Sequence, residues 1–237
     1  MTTVYTFPPT CEAICIFRPS KVCKSPYVAD IKVNDDIYQA HCPALGMGGY
    51  ITTDSVLLVT KLDEKKVCKY SILAVKNNGI WVGANPIYAN RIFESGYKKE
   101  LYNYFPQGNC IAEFTCGNSR FDFLINDEIY TEIKSVLITE NNVAIFPVGN
   151  RKNGTISERA NKHVQELTNL VENHKCAIVF MILREDAVSF RPNAQKDPMF
   201  SNLICNAHHK GVKILAYKFS VSNTSIDFIS EIPVIMP

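Results

Sequence analysis

Eight consecutive apolar residues, Cys176-Ala-Ile-Val-Phe-Met-Ile-Leu183, stand between Lys175 and Arg184. A run with no polar residue at either parity reads as a strand buried on both faces. The segments before it supply the layers such a strand requires. Asn85-Pro86 is a helix start, a capping side chain followed by proline at the first helical position, and predicts a helix over 87–104 that carries Glu94. A strand is predicted at 109–116, then a hairpin. Thr155-Ile-Ser-Glu158 opens a second helix as a capping box, running to about Asn173. The order is helix, three strands, helix, strand.

The hairpin carries the chemistry. Arg120-Phe-Asp-Phe-Leu-Ile and Ile129-Tyr-Thr-Glu-Ile-Lys flank the polar turn Asn126-Asp-Glu. A three-residue loop pairs Ile125 with Ile129 and Phe123 with Thr131. The same register sets Asp122 opposite Glu132 and stacks Phe121 on Ile133. One face is then mostly apolar, and the other holds Asp122, Glu132 and Lys134. Carboxylates suit a hard cation such as Mg²⁺, which keeps several waters and also touches a substrate phosphate. A nearby ammonium can orient the nucleophile, so the pattern suits phosphodiester hydrolysis. A helix packed beside the hairpin would deliver Glu94 as a third carboxylate. Gathered carboxylates raise each other's pKa unless a cation sits among them. On that account Glu132→Gln is expected to leave the metal-free chain as stable or slightly more so. A solvated outer face with an ordinary cross-strand ion pair is the competing reading, and on the hairpin alone it is the commoner explanation.

The first eighty residues read as a small β domain, with short alternating runs at 13–17, 28–33, 37–40, 55–60 and 71–76. Asn34-Asp35-Asp36 marks a hairpin, and Gly46-Met-Gly-Gly49 a flexible connector. Five strands fit an OB-type barrel, whose usual ligands are oligonucleotides, and equally any small barrel. The boundary falls between Trp81 and Asn85, dividing residues 1–82 from 83–237. With 237 residues the chain is long enough for either one large core or two small ones.

No apolar run reaches the roughly 18 residues of a membrane span, and no basic start with an apolar block marks a signal peptide. Nine cysteines without a C-x-x-C pair point to reduced thiols in an intracellular protein, cytoplasmic or nuclear and not secreted. Cys11 and Cys15, with no clustered histidines, make a poor zinc site. The sequons at Asn153 and Asn223 read as surface turns. A net charge of +2 is mild for a nucleic-acid binder. Basic residues nevertheless cluster as Arg18, Lys21 and Lys24, and as Lys61, Lys65, Lys66 and Lys69. Lys21, Lys24, Lys66 and Lys69 are the candidate phosphate contacts, with solvated turns as the plainer account. Phe17, Tyr27, Tyr38, Tyr50 and Trp81 can stack bases or fill a barrel core. His208-His209 precedes Gly211 as a cationic helix end. His163 can face the site, although a structural role is the commoner one for such a histidine.

These residues resemble the sugar fermentation stimulation protein family over nearly the whole chain. Ser119-Arg-Phe-Asp-Phe-Leu124 and Tyr130-Thr-Glu-Ile-Lys134 are similar to its acidic hairpin, with Ala144-Ile-Phe-Pro147 after them. Arg159 to Leu167 resembles its central helix, Asp197-Pro198 to Gly211-Val212 its last helix and turn, and His41-Cys42-Pro43 a run of its first domain. The resemblance implies an α/β (α+β) protein: an N-terminal OB-like barrel, then a PD-(D/E)xK restriction-endonuclease-like domain. It implies Glu94, Asp122, Glu132 and Lys134 as the nuclease-like set. The Ile133 carbonyl would be an extra ligand of Mg²⁺ or Mn²⁺. The chain departs from the family where Val148-Gly149 replaces Asp-Ala, and where Ala44-Leu45-Gly46 replaces Asn-Thr-Gly. The first departure predicts a slow enzyme. Two functions remain open, a metal-dependent nuclease and a non-catalytic DNA-binding or regulatory module. Nucleic acid, DNA first, is the expected partner, with homo-oligomers open and no membrane; a small-molecule barrel is a minor third reading.

Overall fold

The run at 176–183 lies at the centre of a seven-stranded mixed sheet. In chain order the elements are β1 (Thr2–Thr6), β2 (Thr10–Phe17), β3 (Val28–Val33), β4 (Asp36–His41), β5 (Val56–Lys61), β6 (Tyr70–Asn77), β7 (Ile80–Gly83), α1 (Tyr88–Lys98), β8 (Cys110–Cys116), β9 (Ser119–Ile125) and β10 (Ile129–Val136). There follow β11 (Thr139–Glu140), β12 (Val143–Phe146), α2 (Glu158–Leu170), β13 (Lys175–Ile182), β14 (Ser189–Pro192), α3 (Pro198–His209), β15 (Lys213–Val221) and β16 (Ser225–Glu231). This computed structural model describes residues 1–237 other than 48, 64, 65, 118, 151, 153 and 154. Gly48 of the expected connector, Lys65 of the basic cluster and the Asn153 sequon therefore lie outside the described residues.

β13 is paired in parallel with β10 on one side and β15 on the other, which accounts for its lack of polar positions. The sheet order is β1-β16-β15-β13-β10-β9-β8. Its two faces bury separate apolar clusters. Phe93, Phe123, Ile133 and Tyr217 belong to one, continuous with the barrel and α1. Phe121, Tyr130, Phe180 and Phe200 belong to the other, against α2 and α3. Residues 10–77 form an OB-like barrel in which β4-β3-β2-β5-β6 closes through a β4–β6 pairing, and β7 extends β6 past the turn at Asn78-Gly79. The expected division at 82/83 is crossed by β1, which leaves the barrel and pairs with β16 at the edge of the large sheet. No helix among the described residues is long and apolar enough to cross a membrane.

Several local expectations need correction. The helix predicted over 87–104 ends at Lys98, because Glu100 turns to φ 60° and the Leu101 N–H returns to the Gly96 carbonyl. Tertiary packing explains the early stop: the Tyr102 ring stacks between Phe93 and Tyr217 and lies over Gly96, where a Cβ would stand 2.2 Å from the phenol oxygen. The cap of α2 is Ser157, whose oxygen accepts from the Ala160 N–H. Thr155, the expected cap, instead donates to buried Asp197, which also caps α3 at the Phe200 N–H.

Two buried polar clusters fix the walls around the hairpin. Arg184 is 1% exposed and forks onto both Asp186 oxygens at 2.6 and 2.7 Å, while Nη1 donates to Tyr50 of the barrel and to the Leu137 carbonyl. That planar fork pins the barrel against the end of β10. Asn193 donates to the Pro147 carbonyl, and Asp197 accepts from the Ile156 N–H, so the chain between β12 and α2 is held to α3.

Candidate metal centre and its cleft

β9 and β10 pair as the hairpin register requires at Ile125↔Ile129, Leu124↔Tyr130 and Phe123↔Thr131, and there the ladder ends. Asp122 follows at the fork. Its Oδ2 accepts the Ile133 N–H at 2.7 Å, so a carboxylate stands where a strand carbonyl would otherwise be. The strands separate around it, and Phe121 does not stack on Ile133. Phe121 turns instead to Tyr130 on the α2 side, while Ile133 stays with the barrel-side cluster.

The helix residue that reaches Asp122 is Asn90, not Glu94. Asn90 Nδ2 donates to Asp122 Oδ1 at 2.8 Å. Glu94, one turn further along α1, is half exposed and paired with Lys98 at 2.5 Å. No three side chains of the His, Cys, Asp and Glu types converge as metal ligands among the described residues. Asn90 was legible only as one polar residue in an amphipathic helix, and nothing in the sequence ranked it above Glu94.

Glu132 and Lys134 point to the α2 side of β10, two residues apart and level with Ile178 and Phe180 of β13. Lys134 Nζ lies 2.5 Å from Glu132 Oε1, and His163 Nδ1 bonds the same oxygen. His163 thus belongs to the site, delivered by α2, whose buried face carries Ala160, Val164 and Leu167. Glu132 Oε2 is buried and has no hydrogen-bond partner among the described residues. Burial alone would raise the Glu132 pKa, yet the His163 hydrogen bond and the Lys134 ammonium outweigh it and hold the group below its ordinary value. Asp122 behaves oppositely: burial, then the charge of Glu132, push it up against its hydrogen bonds from Ile133 and Asn90. The expected single hydrogen-bonded cluster is therefore two adjoining ones, coupled by charge. Only one carboxylate is raised, because the His163 hydrogen bond and the Lys134 ammonium stabilise the charged form of the other.

This donor set suits a hard cation. A bare, buried carboxylate oxygen is costly unless something binds it, and a neighbour with a raised pKa relaxes when positive charge arrives. Asp122, Glu132 Oε2 and the Ile133 carbonyl would be the donors, and Mg²⁺ is commonly held by no more than two carboxylates with waters completing the shell.

A cleft of about 430 Å³ opens beside the site. Asn90 of α1 and Lys134 and Ser135 of β10 line it, with Tyr27, Pro43 and Leu45 from the barrel and Pro147, Val148 and Ser157 from the segment between β12 and α2. The other candidate lysines lie on barrel turns. Lys21 sits over the Phe17 ring at 3.3 Å, Lys24 and Lys66 are exposed, and Lys69 lines a separate hollow with Tyr38, Lys61 and Tyr70. None of the four lines the cleft beside Lys134.

Residues 87–225 match the family model described as the sugar fermentation stimulation protein RE domain. The sugar fermentation stimulation protein homolog of Geotalea daltonii is 32% identical over 246 residues, covering 98% of this chain and all of the relative. That of Acetivibrio thermocellus is 33% identical over 220 residues, 89% of this chain and 92% of the relative. The homolog of Natranaerobius thermophilus is 30% identical over 222 residues, 88% of this chain and 89% of its own. Among solved structures, Pyrococcus furiosus SfsA in complex with Ca²⁺ superposes with a TM-score of 0.86 at 23% identity, over 99% of this chain and 100% of that one. That likeness establishes the shared fold.

Proposed function

The chain belongs to the sugar fermentation stimulation protein family, and from that premise we propose that it binds nucleic acid and hydrolyses phosphodiester bonds at a Mg²⁺- or Mn²⁺-dependent centre. The observation that carries this reading is Glu132 Oε2, buried and unpartnered, beside an Asp122 whose pKa is raised by burial and by Glu132. Asp122, Glu132 and the Ile133 carbonyl would hold the metal, which would supply Lewis-acid neutralisation of charge on a phosphate. The Ca²⁺ bound by the Pyrococcus furiosus protein supports an oxygen-ligated site in a protein of the same fold.

Each neighbouring side chain has a separate role. Asn90 and the Ile133 N–H fix the Asp122 carboxylate in one orientation, and His163 fixes Glu132 from the opposite side. Lys134 presents an ammonium at the cleft, where it orients the attacking water or holds a phosphate oxygen. Pro147 and Val148 keep the cleft wall apolar and limit water beside the reacting group. Lys21, Lys24, Lys66 and Lys69 would supply weak phosphate contacts away from the centre.

The placement of Glu94 favours the second reading, a non-catalytic DNA-binding or regulatory module. No third carboxylate joins Asp122 and Glu132 among the described residues, and one oxygen of Glu132 is already taken by Lys134 and His163. Thermal unfolding with and without Mn²⁺, alongside cleavage assays on single- and double-stranded DNA and RNA, separates the readings. Metal-induced stabilisation lost in Glu132→Gln, together with cleavage, is the expected result. Stabilisation without cleavage favours the binding module, and no metal effect removes the centre.

A further inference from the structure

We infer that the cleft beside Lys134 seats one unstacked nucleoside, so that a nucleic acid is single-stranded where it meets the carboxylates. This rests on the nucleic-acid reading above and adds strandedness to it. The volume, about 430 Å³, falls in the range of small-molecule sites and accommodates a nucleoside unit. The distribution of its lining is the argument. Asn90, Lys134, Ser135 and Ser157 are the polar residues of the lining besides Tyr27, and the rest of it is apolar, Pro43, Leu45, Pro147 and Val148 included. A duplex presents sugar and phosphate outward and keeps its bases stacked inside. Charged phosphates gain nothing against proline, leucine and valine, whereas the flat apolar face of an exposed base does.

Tyr27 and Ser135 sharpen the assignment. Tyr27 lines the cleft from the barrel and is 43% exposed, and no ring or cation contact engages it among the described residues. Other barrel tyrosines are occupied: Tyr38 packs edge-on against Tyr70, and Tyr50 is bonded to Arg184. Phe146, the second aromatic of the lining, is held between Phe180 and Phe200. Tyr27 is therefore free to stack. Ser135 also lines the cleft, with its hydroxyl buried and without a hydrogen-bond partner among the described residues. A second hollow of about 690 Å³ shares Leu45, Ile145, Val148 and Ile156 with the first and continues to Lys196. One strand can follow that trough, with Lys134 and Lys196 spaced along it for phosphates.

The test is equilibrium binding without divalent metal, so that nothing is cleaved. A labelled twelve-nucleotide deoxythymidine strand is compared with a blunt duplex of the same length at low salt. Single strands should bind at least about tenfold more tightly. Tyr27→Ala should weaken single-strand binding by about five- to a hundredfold, the range for losing one stacking contact, and the uncharged Val148→Asn should weaken it as well, with duplex binding unchanged. Unchanged duplex binding also reports that the variants are folded, as does their unfolding temperature. Equal affinity for the two forms overturns the inference and leaves the phosphodiester reading intact. A single-strand preference that survives both variants overturns it as well, because it then arises elsewhere. Binding of neither form removes both readings.

Discussion

Lys134 Nζ and Glu132 Oε1 stand 2.5 Å apart, two residues along one strand, with side chains only 12% and 4% exposed. An ion pair so withdrawn from water is sensitive to the loss of one partner, because the other charge is left buried alone. This reverses the expectation for Glu132→Gln, which treated the carboxylates as mutually repelling and the metal-free variant as no less stable. The variant should lose on the order of 3 kcal/mol in denaturant unfolding at neutral pH. An unchanged midpoint would show that the pair contributes nothing net.

The pH dependence follows with a definite sign. The folded pKa of Glu132 lies below its ordinary value of 4.5. Its contribution is thus present above that value and lost as pH falls through the depressed one. Removing Glu132 should therefore flatten the acid limb of the stability curve. Unfolding midpoints between about pH 6 and pH 3 check this for the parent chain and Glu132→Gln. His163→Ala, which removes the leading stabiliser of the charged form, should move the Glu132 titration upward in a carboxyl-resolved NMR experiment.

Asp122 should show the opposite sign. Its folded pKa is raised above the ordinary 3.8, so stability declines as pH rises from that value through the raised one. A divalent cation favours the ionised form, and its binding in that window should expel protons. Calorimetry of Mn²⁺ binding in buffers of different ionisation enthalpy measures the release. A heat that does not vary with the buffer would contradict the assignment of Asp122 as a ligand.

Asn90 and Glu94 can be separated by substitution. Asn90→Ala removes the donor to Asp122 Oδ1 and should cost about 1 kcal/mol and weaken the metal effect. Glu94→Ala breaks only an exposed pair with Lys98 and should stay within about 0.5 kcal/mol with the metal effect retained. Loss of metal-dependent stabilisation in the Glu94 variant would restore Glu94 to the ligand set.

If the centre is catalytic, Lys134→Ala should lower turnover by a few orders of magnitude with substrate binding largely retained, the pattern of a group acting on the transition state. Binding itself should weaken as salt rises with a log–log slope of about −0.7 to −0.9 per phosphate contact. The slope should be modest overall, since the net charge is only +2. Parallel loss of affinity and turnover in the lysine variant would make Lys134 a binding residue instead.

Local chemistry in the sequence was enough to determine the central strand, the hairpin pairs Ile125↔Ile129 and Phe123↔Thr131 and the barrel strands. Each depends on residues near one another in the chain: periodicity, turn chemistry and caps. The same local logic put Glu132 and Lys134 side by side, because side-chain direction alternates along a strand, but Asp122 makes its hydrogen bonds in a separate cluster. It did not find Asn90 or His163, whose roles depend on how α1 and α2 lie across opposite faces of the sheet. Nor did it show the ladder stopping at Phe123, since that follows from the Asp122 carboxylate capturing the Ile133 N–H. The end of α1 was set by Tyr102 docking on Gly96, and the pairing of β1 with β16 by the open edge of a sheet completed at the far end of the chain. Contacts between distant segments have no periodic signature. Tertiary packing alone decided which polar atoms are satisfied and which, like Glu132 Oε2, are buried without a partner.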